Sequence, residues 1–194
     1  DDVEISFIPS NSSEEIEASN YWNLSLFAKE YMAESNFDNS IGSEIVIGIH
    51  EDAKDYFVGG EDQEIFPLSE MSILDGYAEL SINNGNSLYR DIRSYDDPIS
   101  IWDISVESIH PFSDEGIVIS WEMPDPNDPY GYYICDKDGF NCDDMTSTDK
   151  IILDGSENIK IKSELKEGYI GCTNPLAPNY NPDALGGNDA DYCE

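Results

Sequence analysis

The chain has 194 residues, with 42 Asp plus Glu against 9 Lys plus Arg and a formal net charge of −33. That balance excludes binding to a phosphate backbone or an anionic membrane surface, which needs clustered Lys and Arg, whereas the basic residues here are scattered from Lys29 to Lys166. The 39% hydrophobic and 11% aromatic content supplies a core, so the acidity does not signify disorder, and self-repulsion points to a medium where salt or divalent cations screen it, such as seawater or a saline extracellular fluid.

At the start of the chain, Val3, Ile5 and Phe7 alternate with other residues as in a strand, and a polar Ser/Asn/Glu stretch follows from Ser10 to Asn20. This pairing of strand and tether suits donation of the strand to the open sheet edge of a neighbour; an ordinary edge strand of its own sheet is the simpler reading. Asp1 is preceded by no initiator Met or charged-then-apolar leader, which is expected of a mature form after signal-peptide removal. Asn11-Ser12-Ser13 and Asn23-Leu24-Ser25 match the N-glycosylation acceptor pattern.

Trp22, Leu24 and Leu26 alternate, as do Ile45, Ile47 and Ile49. The segment from Asn20 to Met32 also carries a weaker helical pattern, but alternation favours a strand. No apolar run approaches the length of a membrane span. Beyond Ile49 lies an acidic loop, Glu51, Asp52, Asp55, Glu61 and Asp62, which Gly59-Gly60 lets fold tightly. Hard oxygen ligands at close spacing suit Ca²⁺, against the alternative of a solvated acidic loop.

Asn84-Gly85 between Tyr77–Ile82 and Leu88–Ile92 is a hairpin signal. Further alternation runs through Ile99-Ile101, Ile104-Val106, Ile117-Ile119-Trp121 and Ile159-Ile161, with Asp154-Gly155 as a turn before the last. Among the aromatics, Trp22 and Trp121 share a period with aliphatic neighbours and are expected in the core. Tyr130, Tyr132 and Tyr133 are the surface candidates for stacking on sugar rings.

Cys135, Cys142, Cys172 and Cys193 form two local pairs. They read as disulfides, since zinc would call for CxxC spacing or a nearby His. Asp136, Asp138, Asn141, Asp143 and Asp144 thread the first pair and make a second candidate Ca²⁺ loop, the competing reading being a hairpin turn tipped by Asp138-Gly139. From Gly168 onward there is no Lys, Arg or alternating run. This stretch is expected to be a small module held by one disulfide, with Asp183, Asn188, Asp189 and Asp191 as a third carboxylate cluster.

The segment Gly171-Cys172-Thr173-Asn174-Pro175-Leu176-Ala177-Pro178-Asn179-Tyr180-Asn181-Pro182-Asp183-Ala184, ending at Asp191-Tyr192-Cys193, resembles a short GCT-N-P-A-NYNP-A-D-C repeat of secreted proteins from marine bacteria. The usual Asp-Asp-Gly-Ser-Cys ending is here Asn188-Asp189-Ala190-Asp191-Tyr192-Cys193. More distantly, the body resembles an uncharacterised β-sandwich of similar secreted proteins, through Trp22-Asn23-Leu24-Ser25-Leu26, Gly48, the 52–57 segment, Asp91-Ile92-Arg93, Trp102 and the Ile117–Trp121 strand. The resemblance implies an extracellular accessory domain and supplies no reaction.

Catalytic signatures are lacking: there is no GxSxG, His50-Glu51 has no second His, and no Gly-rich phosphate loop follows a strand. The expectation is therefore an all-β protein, an antiparallel β-sandwich of Ig-like or jelly-roll-like form over 1–167, with a disulfide-stapled module over 168–194. Its expected role is secreted, non-enzymatic and structural or adhesive, stabilised by Ca²⁺, with edge-strand pairing to itself or to other extracellular proteins. A carbohydrate-binding module for polysaccharide is the alternative.

Overall fold

The computed structural model describes residues 22–30, 42–50, 52–54, 62–64, 77–94, 98–109, 116–124, 129–185 and 192–194. The expected strand at Val3–Ile8, the polar stretch after it and Asn11 lie outside the described residues. The fold is all-β. Its strands are β1 (Trp22–Glu30), β2 (Ser43–Ile49), β3 (Gln63–Glu64), β4 (Tyr77–Asn83), β5 (Ser87–Arg93), β6 (Ile99–Ile109), β7 (Ile117–Glu122), β8 (Tyr130–Cys135), β9 (Cys142–Asp144), β10 (Lys150–Leu153) and β11 (Glu157–Leu165).

The strands form one continuous curled sheet in the order β10-β7-β1-β2-β5-β4-β6-β11-β8-β9, with β3 also against β5. Among the described strands, all pairs are antiparallel except β2 with β5, which run parallel from Val46 opposite Arg90 to Ile49 opposite Arg93. This departs from the fully antiparallel expectation, and β5 is the reason. Its first residues pair with β4 at the Asn84-Gly85 turn, where Gly85 takes φ 75°, and its later residues pair with β2. One strand thereby joins two halves of the sheet.

Period-two alternation builds the core. Trp22, Leu24, Leu26 and Ala28 of β1, Ile45, Ile47 and Ile49 of β2, Trp102, Ile104 and Val106 of β6, and Ile159, Ile161 and Leu165 of β11 are all buried in one cluster. Residues from both halves pack together there. Trp22 packs against Trp102 at 5.7 Å and Tyr132 at 4.8 Å between ring centroids. At the other end of β1, Ser108 Oγ donates to the buried Glu30 Oε1 at 2.7 Å, fastening β6 to β1.

Two local readings change in context. Ile99 and Ile101 alternate as a core strand would, yet each is 44% exposed while Ser100 is buried. Both belong to β6, and the phase that buries Trp102 and Ile104 turns them outward. Asp154-Gly155 joins β10 to β11, but these strands do not pair with each other: β10 lies against β7 and β11 between β6 and β8. The turn is a crossover, which turn chemistry does not distinguish from a hairpin.

Gly116 fixes the entry to β7. It has φ 102°, and a Cβ there would lie 2.1 Å from the Leu153 carbonyl oxygen of β10.

Candidate functional site

Both disulfides are formed: Cys135 to Cys142, with Cα atoms 4.0 Å apart, and Cys172 to Cys193, at 4.8 Å. The first ties cross-strand partners of β8 and β9. The second closes the C-terminal module, a loop closure that limits the unfolded ensemble by about 3 kcal/mol. Paired cysteines fit an oxidising compartment. Among the described residues, no helix is long and apolar enough to cross a membrane.

Within the 135–142 loop, the carboxylates shape the backbone. Asp136 Oδ1 accepts the Phe140 amide at 3.0 Å, and Oδ2 accepts the Asn141 side-chain amide. These donors, Asn141 first, hold the Asp136 carboxyl below its ordinary pKa. Asp144 caps the short 3₁₀ helix Met145–Ser147: its Oδ1 accepts from Thr146 Oγ1 at 2.7 Å and Thr146 N at 2.8 Å, which lowers its pKa. Asp138 and Asp143 are exposed. The hairpin expectation holds, with Gly139 at φ 79°.

The C-terminal module is built from asparagine turns. Asn174 Oδ1 accepts the Leu176 amide at 3.0 Å and Asn181 Oδ1 the Asp183 amide at 3.1 Å. Asn179 clamps the arm that carries Cys193, donating to the Tyr192 carbonyl at 2.6 Å and accepting from Glu194 N at 3.0 Å. Tyr169, Ile170 and Leu185 pack against the main core, so the module is docked.

Each disulfide-closed loop presents a large apolar side chain almost fully to solvent; in the second, Tyr180 and Tyr192 are exposed to a lesser degree, 43% each. Phe140 is 85% exposed and Leu176 is 90% exposed. In both, an Asx side chain holds the amide of the presented residue, Asp136 for Phe140 and Asn174 for Leu176. Neither residue stands out in the sequence, because each interrupts a polar loop without periodicity; an isolated apolar residue inside a Cys-bracketed loop is the signal that could have flagged them.

The first acidic loop divides. Asp52 is exposed and its amide donates to His50 Nδ1 at 3.1 Å, whereas Asp62 is buried and its Oδ1 accepts the Ile92 amide at 3.1 Å. Glu51, Asp55 and Glu61 lie outside the described residues. Asp62 does not face solvent with Asp52; its electrostatic neighbour is Asp91 of β5, also buried. Arg93 Nη2 and Nε bond to Asp91 Oδ2 at 2.8 and 3.1 Å, and its guanidinium lies 5.0 Å from the Trp102 ring centre. Burial raises the Asp91 pKa; Arg93 opposes that shift and Asp62 adds to it. An Asp between Tyr89 and Ile92 in a predicted strand is the sequence signal for this buried charge.

The third cluster is described only at Asp183, which is exposed; Asn188, Asp189 and Asp191 lie outside the described residues. Among the described residues, no three His, Cys, Asp or Glu side chains group to hold a metal ion.

Sugar stacking loses two of its three residues. Tyr130 and Tyr132 are 6% and 2% exposed because their phase on β8 points them at Trp22. Tyr133 faces outward with Lys162 Nζ 5.5 Å from its ring centre. Asn23 is exposed on the outer face of β1, an accessible acceptor.

Among the described residues, the strands that end the sheet are guarded. Trp121 N donates to the Asp149 carbonyl at 3.1 Å, so alternation turns the main-chain groups of Lys150 and Ile152 away from β7. Thr148 Oγ1 donates to the Lys150 carbonyl at 2.9 Å and accepts its amide at 3.4 Å, leaving Ile152 as the edge-facing residue of β10. At the other end, β9 is three exposed residues, two of them aspartates.

Comparisons with protein-family models, curated proteins and solved structures find no match to this chain.

Proposed function

We propose that this chain is a secreted, non-enzymatic structural or adhesive subunit that associates with further copies through its two disulfide-closed loops. The observation that carries the reading is the presentation of Phe140 and Leu176, each almost fully in solvent on a loop closed by a disulfide, with its amide held by an Asp or Asn side chain. A backbone already held at that residue has less conformational freedom to lose on binding, so an exposed apolar residue there is a ready anchor. The blunted β9 and β10 edges make contact through loops the better-supported route than strand addition. Calcium enters through charge: copies carrying −33 approach one another only when cations screen or bridge their carboxylates.

Sedimentation velocity of the full chain in saline CaCl₂ tests the reading, with the Phe140→Ser/Leu176→Ser double variant alongside. The native chain is expected to form oligomers and the folded double variant to remain monomeric. A native chain that stays monomeric, or a double variant with the native size distribution, contradicts it.

A further inference from the structure

Four buried side-chain nitrogen or oxygen atoms lack a hydrogen-bond partner among the described residues, and three of them, Trp22 Nε1, Trp102 Nε1 and Ser163 Oγ, belong to side chains that strand register and ring packing bring together. Ser163 of β11 lies in register between Ser100 of β6 and Tyr132 of β8. Trp102 stands two residues along β6 from Ser100 and is therefore the diagonal neighbour of Ser163 on the same face. Trp22 arrives from the opposite half of the sheet and packs on both Trp102 and Tyr132. Trp102 and Ser163 are 0% exposed and Trp22 is 5% exposed.

An indole N–H only donates, whereas a hydroxyl both donates and accepts. Neither indole can satisfy the other, and burial without a partner is heavily penalised. The three groups together call for something small that accepts twice and donates at least once. A water molecule has two lone pairs for the indoles and a proton for Ser163 Oγ, and enclosed waters characteristically take two to four such partners.

We infer that the core holds one enclosed water molecule between Trp22, Trp102 and Ser163, a hydration site that bonds β1 of one half of the sheet to β6 and β11 of the other. A bridging water adds direction, fixing Trp22 against Trp102 in the observed edge-on arrangement.

The test is a high-resolution crystal structure of the full chain together with thermal unfolding of Ser163→Ala. A peak within hydrogen-bonding distance of Ser163 Oγ and at least one indole nitrogen is expected, unchanged when crystals are soaked in bromide. The variant should melt about 2–4 °C lower, the shift that loss of one net hydrogen bond produces in a chain of this size. A dry map, a peak that exchanges with bromide and so marks a halide, or a Ser163→Ala midpoint equal to or above the native one overturns the inference.

Discussion

Asp136 accepts the Phe140 amide at 3.0 Å across the tip of the loop closed by Cys135 and Cys142. One carboxylate thus holds the chain in the turn that turns Phe140 outward. Replacing Asp136 by Ala should leave the fold intact, since the side chain is at the surface, but free Phe140 to sample other positions. Sedimentation should show weaker association than the native chain in the same buffer, with an unchanged far-UV circular dichroism spectrum.

Trp22 touches Trp102, Tyr130 and Tyr132 and closes the core between the two halves of the sheet. Trp22→Ala removes that closure and leaves a large cavity, so urea unfolding should report a loss of about 3–5 kcal/mol. A loss comparable to that of a surface substitution would show that the halves are held elsewhere.

Gly116, just before β7, and Gly155, in the turn after β10, differ in what a methyl group would meet. At Gly116 it would strike the Leu153 carbonyl from a backbone at φ 102°, whereas at Gly155 nothing lies within 4 Å. Gly116→Ala should therefore destabilise by more than about 1 kcal/mol. Gly155→Ala should stay within about 0.5 kcal/mol of the native chain.

Two groups of carboxylates give opposite slopes to stability against pH. Asp136 and Asp144 have folded pKa values below the ordinary carboxylate range, so the stability they contribute is present above that range and is lost as pH falls through their folded values. Asp91 and Glu79 have raised values, from burial first, and then from Asp62 and Glu107 respectively. Between the ordinary and raised values the folded state binds the extra proton, so stability falls as pH rises through that window. Thermal midpoints should pass through a maximum in mildly acidic buffer. Asp91→Asn should flatten the descent toward neutrality and leave the acid limb in place; an unaltered descent would show that Asp91 does not titrate there.

The sequence made the strands legible wherever one face is buried: β1, β2, β7 and β11 follow directly from alternation at Trp22–Leu26, Ile45–Ile49, Ile117–Trp121 and Ile159–Ile161. Cysteine spacing likewise indicated both disulfides. Strand order was not legible, because pairing depends on contacts distant in sequence, and Asp154-Gly155 looks locally the same whether it closes a hairpin or carries a crossover. The same lack of long-range information misplaced Tyr130 and Tyr132, whose neighbour Trp22 lies more than a hundred residues away, and concealed Asp91 as the neighbour of Asp62.

The most direct test of the proposed role compares the native chain in excess EDTA with the same chain in millimolar CaCl₂ at fixed ionic strength, reading the thermal midpoint and then the sedimentation profile. Calcium is expected to raise the midpoint through linkage to the folded state and to shift the chain from monomer to larger species. Identical midpoints and identical sizes in the two buffers would contradict a calcium-stabilised assembling subunit.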